Sequence, residues 1–126
     1  MTVSQAPRVL IVEDEFLIAL MLKEALTSAG FESAGVATKV EAALASVETC
    51  ALDAAILDAN LAGVSSAPVA TALTVRSIPF LVVSGYATTQ QNGAFAAGVH
   101  VQKPFQTEEL IQALRSILPA CDAVEQ

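Results

Sequence analysis

No apolar run in this chain approaches the roughly 18 residues that a membrane span requires. The 54% hydrophobic content therefore belongs to a protein interior and not to a bilayer. Only 6 residues are Lys or Arg against 13 Asp or Glu, giving a net charge of -7. Such a surface repels phosphate backbones, which argues against nucleic acid as a direct partner. The two cysteines, Cys50 and Cys121, stand far apart at no metal-ligand spacing, and His100 has no partner at such a spacing either. A metal site built on Cys or His is thereby disfavoured, and a reduced, cytoplasmic compartment fits. Nothing resembling a signal peptide precedes the first apolar run, and repeats, low-complexity tracts and linkers are missing too. What remains is a single-domain length, 126 residues, with enough apolar residues to fold without staples. We expect one domain over residues 1–126, with its core from about 8 to 118, and no output domain.

What is present is an alternation. Apolar runs, RVLIV, ESAGV, AAILD, PFLVVS and VHVQ, alternate with segments of helical period at 16–29, 39–49, 67–76, 88–97 and 107–118. In the first helical segment Ile18, Met21, Leu22, Ala25, Leu26 and Ala29 repeat along one face, and Gly30 stands where a left-handed C-cap is expected. Thr38 and Glu41 have capping-box spacing at the start of the second, which carries Val40, Leu44 and Val47. Thr107 is the expected N-cap of the last, with Leu110, Ala113, Leu114, Ile117 and Leu118 on its buried side. The fourth, ATTQQNGAFAAG, has Phe95 as its one large apolar residue and Gly93 inside it, so it is expected to be the loosest helix. Strands that read as continuous apolar runs are buried on both faces, which requires parallel strands with helices on either side. The fold class is a doubly wound α/β domain with a five-stranded parallel sheet.

The first strand ends abruptly. VLIVEDE carries four apolar residues straight into Glu13, Asp14 and Glu15, like charges that repel one another unless something positive is bound. In open parallel sheets the carboxyl ends of the strands carry function. The third strand ends in Asp58, the fourth in Ser84 and the fifth in Lys103. Together these are carboxylates for a hard divalent cation, a further carboxylate able to act as a nucleophile, a hydroxyl donor and an ammonium. Mg²⁺ suits the set, because it binds through one or two carboxylates and shares its remaining positions with phosphate oxygens. Glu15 reads as a first-turn helix acid, Asp53 as a turn residue entering the third strand, and Cys50 as a small packing residue.

VEDE after strand one, LDANLAG after strand three, VVSGYA after strand four and VQKPF after strand five resemble the receiver domain of two-component response regulators. The resemblance covers essentially the whole chain. It implies the flavodoxin-like strand order 2-1-3-4-5. It also implies that Asp58 is the phosphoacceptor, that Glu13, Asp14, Asp58 and the backbone carbonyl of Asn60 bind Mg²⁺ or Mn²⁺, and that Ser84 and Lys103 hold phosphoryl oxygens. The bond from Lys103 to Pro104 would be cis. Partners would be a sensor histidine kinase or a histidine phosphotransfer protein, and a downstream protein target. Such a domain is a signalling phosphoacceptor with self-phosphorylation and self-dephosphorylation chemistry, not a turnover enzyme. The segment from strand four through helix five would repack to carry the signal.

The chain departs from the family pattern at instructive places. His100 occupies the switch position, where the family usually has Tyr or Phe, and Ser84 replaces the commoner Thr. PFLVVSGY further resembles the FAT GUY subgroup of single-domain receivers: Pro79, Phe80, Gly85 and Tyr86 match, whereas Val82, Val83 and Ser84 depart. That likeness implies kinases of the HWE or HisKA2 type. The family likeness also makes Asn60 and Tyr86 tuners of phosphoryl lifetime, the one by orienting water and the other by excluding it. Other readings stay open. A phosphohydrolase of haloacid-dehalogenase type has its Asp nucleophile after strand one in a DxDxT context, which EDEFL lacks. A flavodoxin-like cofactor binder needs a phosphate loop where this chain puts acids. A receiver acting by unphosphorylated docking is the third.

Overall fold

The computed structural model describes residues 6–85 and 93–118 of the chain. The apolar runs become strands β1 (Arg8–Val12), β2 (Glu32–Ala37), β3 (Ala54–Asp58), β6 (Phe80–Ser84) and β7 (Val99–Gln102). Between β3 and β6 lies a small antiparallel hairpin, β4 (Asn60–Leu61) and β5 (Val64–Ser65), which was not expected. The helices are α1 (Phe16–Ser28), α2 (Val40–Thr49), α3 (Ala67–Val75) and α4 (Thr107–Ile117), with a short 3₁₀ helix at Gly93–Ala97. All pairings in the main sheet are parallel, in the order β2-β1-β3-β6-β7. With the hairpin strands set aside, this is the expected order 2-1-3-4-5.

Every residue of β3 and β6 is buried, because helices cover both faces of the sheet. On one side Leu10, Val12, Leu57 and Val82 pack with Val47 of α2, Leu73 of α3 and Phe95. On the other, Ile11, Ile56 and Val83 pack with Leu22 and Leu26 of α1 and with Leu110 and Leu114 of α4. Burying the side chains of two such layers, at about 1.5–3 kcal/mol for each large one, is what holds the acidic strand ends in place. Gly30 has a φ of +95°, as its C-terminal position on α1 requires.

Several local expectations need correction. Lys39 and Gln106 stand at the N-cap positions of α2 and α4, and neither helix has a side-chain cap. Thr107 is already inside its helix, and Thr38 lies one residue before the cap, so the capping-box pattern goes unused. Met21 is 39% exposed, because it borders the groove between α1 and α4 and not the sheet; Ala19 takes the buried place instead. Where a fourth helix was expected at 88–97, the described part is the 3₁₀ turn at Gly93–Ala97, and the remainder lies outside the described residues.

The hairpin loop consists of Ala62 and Gly63, with φ angles of +53° and +90°. Two positive φ values match the right-handed twist of a two-residue hairpin, for which Asn-Gly is the favoured pair. Ala carries a penalty of roughly 1–2 kcal/mol in this conformation. Ala62→Asn is expected to stabilise the protein by about 0.5–1 kcal/mol. A higher urea midpoint at unchanged slope would show it, and an unchanged midpoint would refute it.

Candidate functional site

Glu13 follows β1 directly, and its backbone N–H donates to the carbonyl of Ala37 at 3.0 Å, which holds it against the end of β2. Its side chain turns inward and is 2% exposed. The N–H of Glu15 donates to Glu13 Oε2 at 3.1 Å. Asp58 closes β3 opposite Val83 and is likewise buried. Its Oδ1 accepts the backbone N–H of Asn60 at 3.0 Å, and its Oδ2 accepts a hydrogen bond from Lys103 Nζ at 3.1 Å. Lys103 Nζ also lies 3.9 Å from Glu13 Oε1. The lysine is aimed by its own backbone, since its N–H donates to the carbonyl of Ser84 at 2.8 Å and ties the ends of β6 and β7 together.

One carboxylate oxygen from each of Glu13, Asp14 and Asp58 falls within 4.8 Å of the others. Asp14 and Asp58 line, with Asn60, Ser84 and Lys103, a cleft of about 340 Å³, and Glu13 lies buried behind them. Burial pushes the Glu13 carboxyl up from its ordinary 4.5 to about 7; the Glu15 N–H works against this, the charge of Asp58 adds to it, and Lys103 opposes it. Partial burial acts to lower the pKa of Lys103, but the hydrogen bond and charge of Asp58, with Glu13 and Glu15, outweigh it and raise the ammonium above its usual 10.5. One cation thus serves two carboxylates, which leaves an excess of negative charge suited to a divalent ion.

The hairpin prepares a further oxygen. Ser66 N–H donates to the Ala59 carbonyl at 3.0 Å, so Ala59 and Ser66 form a hydrogen-bonded pair continuing the register of Asn60 with Ser65. Pairs alternate in an antiparallel ladder, so Asn60 belongs to a non-hydrogen-bonded pair and its carbonyl points away from the partner strand. That carbonyl is therefore not used by the hairpin ladder.

The sequence model of the response regulator receiver domain matches residues 9–115. The chain belongs to the response regulator receiver family. Solved structures agree. SdrG from Sphingomonas melonis Fr1 is 40% identical, with 91% of this chain and 98% of that one covered at a TM-score of 0.77. The chemotaxis protein CheY4 of Vibrio cholerae is 27% identical, with 91% and 100% covered at a TM-score of 0.78. The receiver domain of the sensor histidine kinase PA1611 from Pseudomonas aeruginosa PAO1, whose structure has a magnesium ion coordinated in the active site cleft, shares the fold at 21% identity, with 89% and 97% covered and a TM-score of 0.77. Comparison with curated proteins finds no match. Receivers are signalling domains that interact with histidine kinases or phosphotransfer proteins. No helix among the described residues is long and apolar enough to cross a membrane.

In this receiver Glu13, Asp14, Asp58, Asn60, Ser84 and Lys103 converge on one rim, and the peptide bond from Lys103 to Pro104 is cis. Glu15 stands at the N-cap position of α1, just before its first turn. Asp53 bridges to β1, its Oδ2 accepting the backbone N–H of Arg8 at 2.8 Å. His100 is apart from the cleft: strand alternation turns it away from Val101 and Lys103, and its Nε2 lies 3.3 Å from the Phe95 carbonyl of the 3₁₀ helix. Tyr86 lies outside the described residues. Two participants escaped the sequence reading. The hairpin had a signal, the pair Ala62-Gly63 flanked by Leu61 and Val64, though Ala hid it. Ser66 had none, since a buried serine and a surface one are written alike.

Proposed function

We propose that this receiver accepts a phosphoryl group on Asp58 from the phosphohistidine of a kinase or phosphotransfer protein. The observation that carries the reading is the buried Asp58 carboxylate beside Glu13 and Asp14, with Lys103 Nζ 3.1 Å from its Oδ2 at the edge of an open cleft. A carboxylate oxygen of Asp58 attacks phosphorus; the O–P bond forms as the N–P bond breaks, and the electron pair returns to the imidazole of the donor. Lys103 is positioned to shift from the carboxylate to the phosphoryl oxygens as charge moves onto them. The Ser84 hydroxyl, on the same rim, supplies a further donor. The three acids and the Asn60 carbonyl form an all-oxygen set that fits Mg²⁺ or Mn²⁺, the ion seen in the cleft of the PA1611 receiver being magnesium. Such an ion would neutralise the transferring group.

Finer assignments belong to the same proposal. The matches at Pro79, Phe80, Gly85 and Tyr86 support membership of the FAT GUY subgroup, and with it a kinase of the HWE or HisKA2 type and a protein target, in the cytoplasm. His100 tunes the switch through the 3₁₀ helix it touches. Tyr86, by the family likeness, belongs to the residues that tune the lifetime of the acyl phosphate. Because the Asn60 side-chain oxygen accepts the Gly63 N–H at 2.7 Å, water orientation falls to its NH₂.

Incubation with acetyl phosphate and Mg²⁺ is expected to add one phosphoryl group by intact mass, labile to hydroxylamine and mapping to Asp58, and to fail in EDTA. Labelling that survives EDTA at the same rate, or that maps elsewhere, would overturn the reading.

A further inference from the structure

Ser66 is wholly buried, with 0% exposure, and the chemistry described so far does not use it. Its Oγ donates to the backbone carbonyl of Asp58 across eight residues, at 2.6 Å. Its N–H donates to the Ala59 carbonyl at 3.0 Å, and its own carbonyl accepts the N–H groups of Val69 and Ala70 in the first turn of α3. On the far side, the Ala59 N–H donates to Val83 of β6 at 3.0 Å. The peptide unit that follows the acceptor is therefore gripped from two directions, and on the α3 side Ser66 bonds both its carbonyl and that of the next unit.

We infer that Ser66 is a positioning residue for phosphoryl transfer: its buried hydroxyl fixes the peptide that carries Asp58 and, through the hairpin it closes, the Asn60 carbonyl beside it. The inference rests on the phosphoacceptor reading above. A backbone carbonyl in this interior needs a donor, and the Ser66 Oγ that supplies it has no exposed surface through which bulk water could take its place. Removing the hydroxyl leaves this peptide unit held on the β6 side alone, through the Ala59 N–H and Val83, so that it can tilt about that bond. The Asp58 side chain turns with its peptide, and the cation carbonyl two residues on turns as well. Alignment of the acceptor oxygen, the lysine and the cation ligands is what transfer demands, and displacements below an ångström are costly to it.

The test compares Ser66→Ala, Ser66→Thr and Ser65→Ala. Ser65 Oγ accepts the N–H of Ala67 at 3.1 Å, at the same helix start, but makes no bond to Asp58 or Ala59. Ser65→Ala thus reports the effect of loosening α3 alone. Labelling rates with acetyl phosphate and saturating Mg²⁺ are measured well below each unfolding midpoint and expressed per folded molecule. Ser66→Ala is expected to be slowed about tenfold. Its Asn60 amide NMR resonance, which reports the bond to Asp58 Oδ1, is expected to shift. Ser65→Ala should keep the wild-type rate despite lower stability, and Ser66→Thr, which retains the hydroxyl, should recover most of the rate. A wild-type rate and an unmoved Asn60 resonance in Ser66→Ala would overturn the inference, as would equal slowing in Ser65→Ala. If Ser66→Ala does not fold, Ser66→Thr and Ser66→Cys decide: equal rates in these two would overturn it, since a thiol is a weak donor. Wild-type protein that takes no label at Asp58 would instead remove the phosphoacceptor reading itself.

Discussion

In Lys103→Met protein, transfer to Asp58 is expected to slow by about 10²-fold while Mg²⁺ binds roughly tenfold more tightly. The two changes run in opposite directions because the ammonium has two roles. As the cation 3.1 Å from Asp58 Oδ2, it offsets the repulsion among the three acids and so competes with a metal for them. As a donor next to the reacting oxygen, it is the group placed to take up charge on the phosphoryl oxygens. Methionine keeps the apolar stem and removes both functions. Asp58→Asn should abolish labelling altogether and weaken Mg²⁺ binding, since it deletes a nucleophile and a charged ligand at once. Labelling rates at saturating Mg²⁺ and a calorimetric Mg²⁺ titration separate the cases. A Lys103→Met protein with unchanged rate, or with weaker Mg²⁺ binding, would contradict this account.

Glu13→Gln is expected to abolish a pH dependence that the wild-type protein shows only without metal. Burial holds the Glu13 carboxyl near 7 in the folded state, against an ordinary 4.5. An acid whose pKa is raised on folding favours the folded state fully below the ordinary value. That contribution is lost as pH rises through about 7, because the unfolded chain ionises more readily. Metal-free wild-type stability should therefore fall across this window by on the order of 3 kcal/mol from Glu13 alone. The amide in Glu13→Gln is the same size, does not ionise, and can still accept the Glu15 N–H. Metal-free Glu13→Gln should be flat in pH from 4.5 to 7 and more stable than wild type at pH 8. A bound divalent ion should reverse the wild-type trend, since it displaces the proton, and its affinity should weaken as pH falls below 7. Urea unfolding at pH 5 and 8, with EDTA and with Mg²⁺, tests every part. Equal wild-type stability at both pH values in EDTA would refute the argument.

The strands and the rim were legible because both rest on abrupt change along the chain. A run such as Val9 to Val12 changes from apolar to acidic in one step at Glu13 and Asp14, so strand end and candidate site residue are marked together even though the Glu13 side chain stays buried. The buried faces of the helices were largely legible for the same reason, with Met21 and Ala19 the exception on α1. Caps were not: Thr38 and Thr107 carry the right chemistry, but a one-residue offset sets their hydroxyls outside reach of the first helical N–H groups. The fourth helical segment offered Phe95 and little else, too weak a pattern to separate an α-helix from the 3₁₀ turn that is seen. The role of Ser66 depends on a carbonyl eight positions away, and no local pattern encodes such a pairing.

Asp58 is the last residue of the middle strand of five, and the peptide bonds around it are held by β6 on one side and by the start of α3 on the other. An acceptor fastened in this way does not search for its donor. If Asp58 is the phosphoacceptor proposed above, the donor histidine would have to be brought to it, at the right angle, by another molecule, with this chain contributing a stationary target. On the proposed reading, the speed of signal entry would then follow how often a donor arrives correctly oriented.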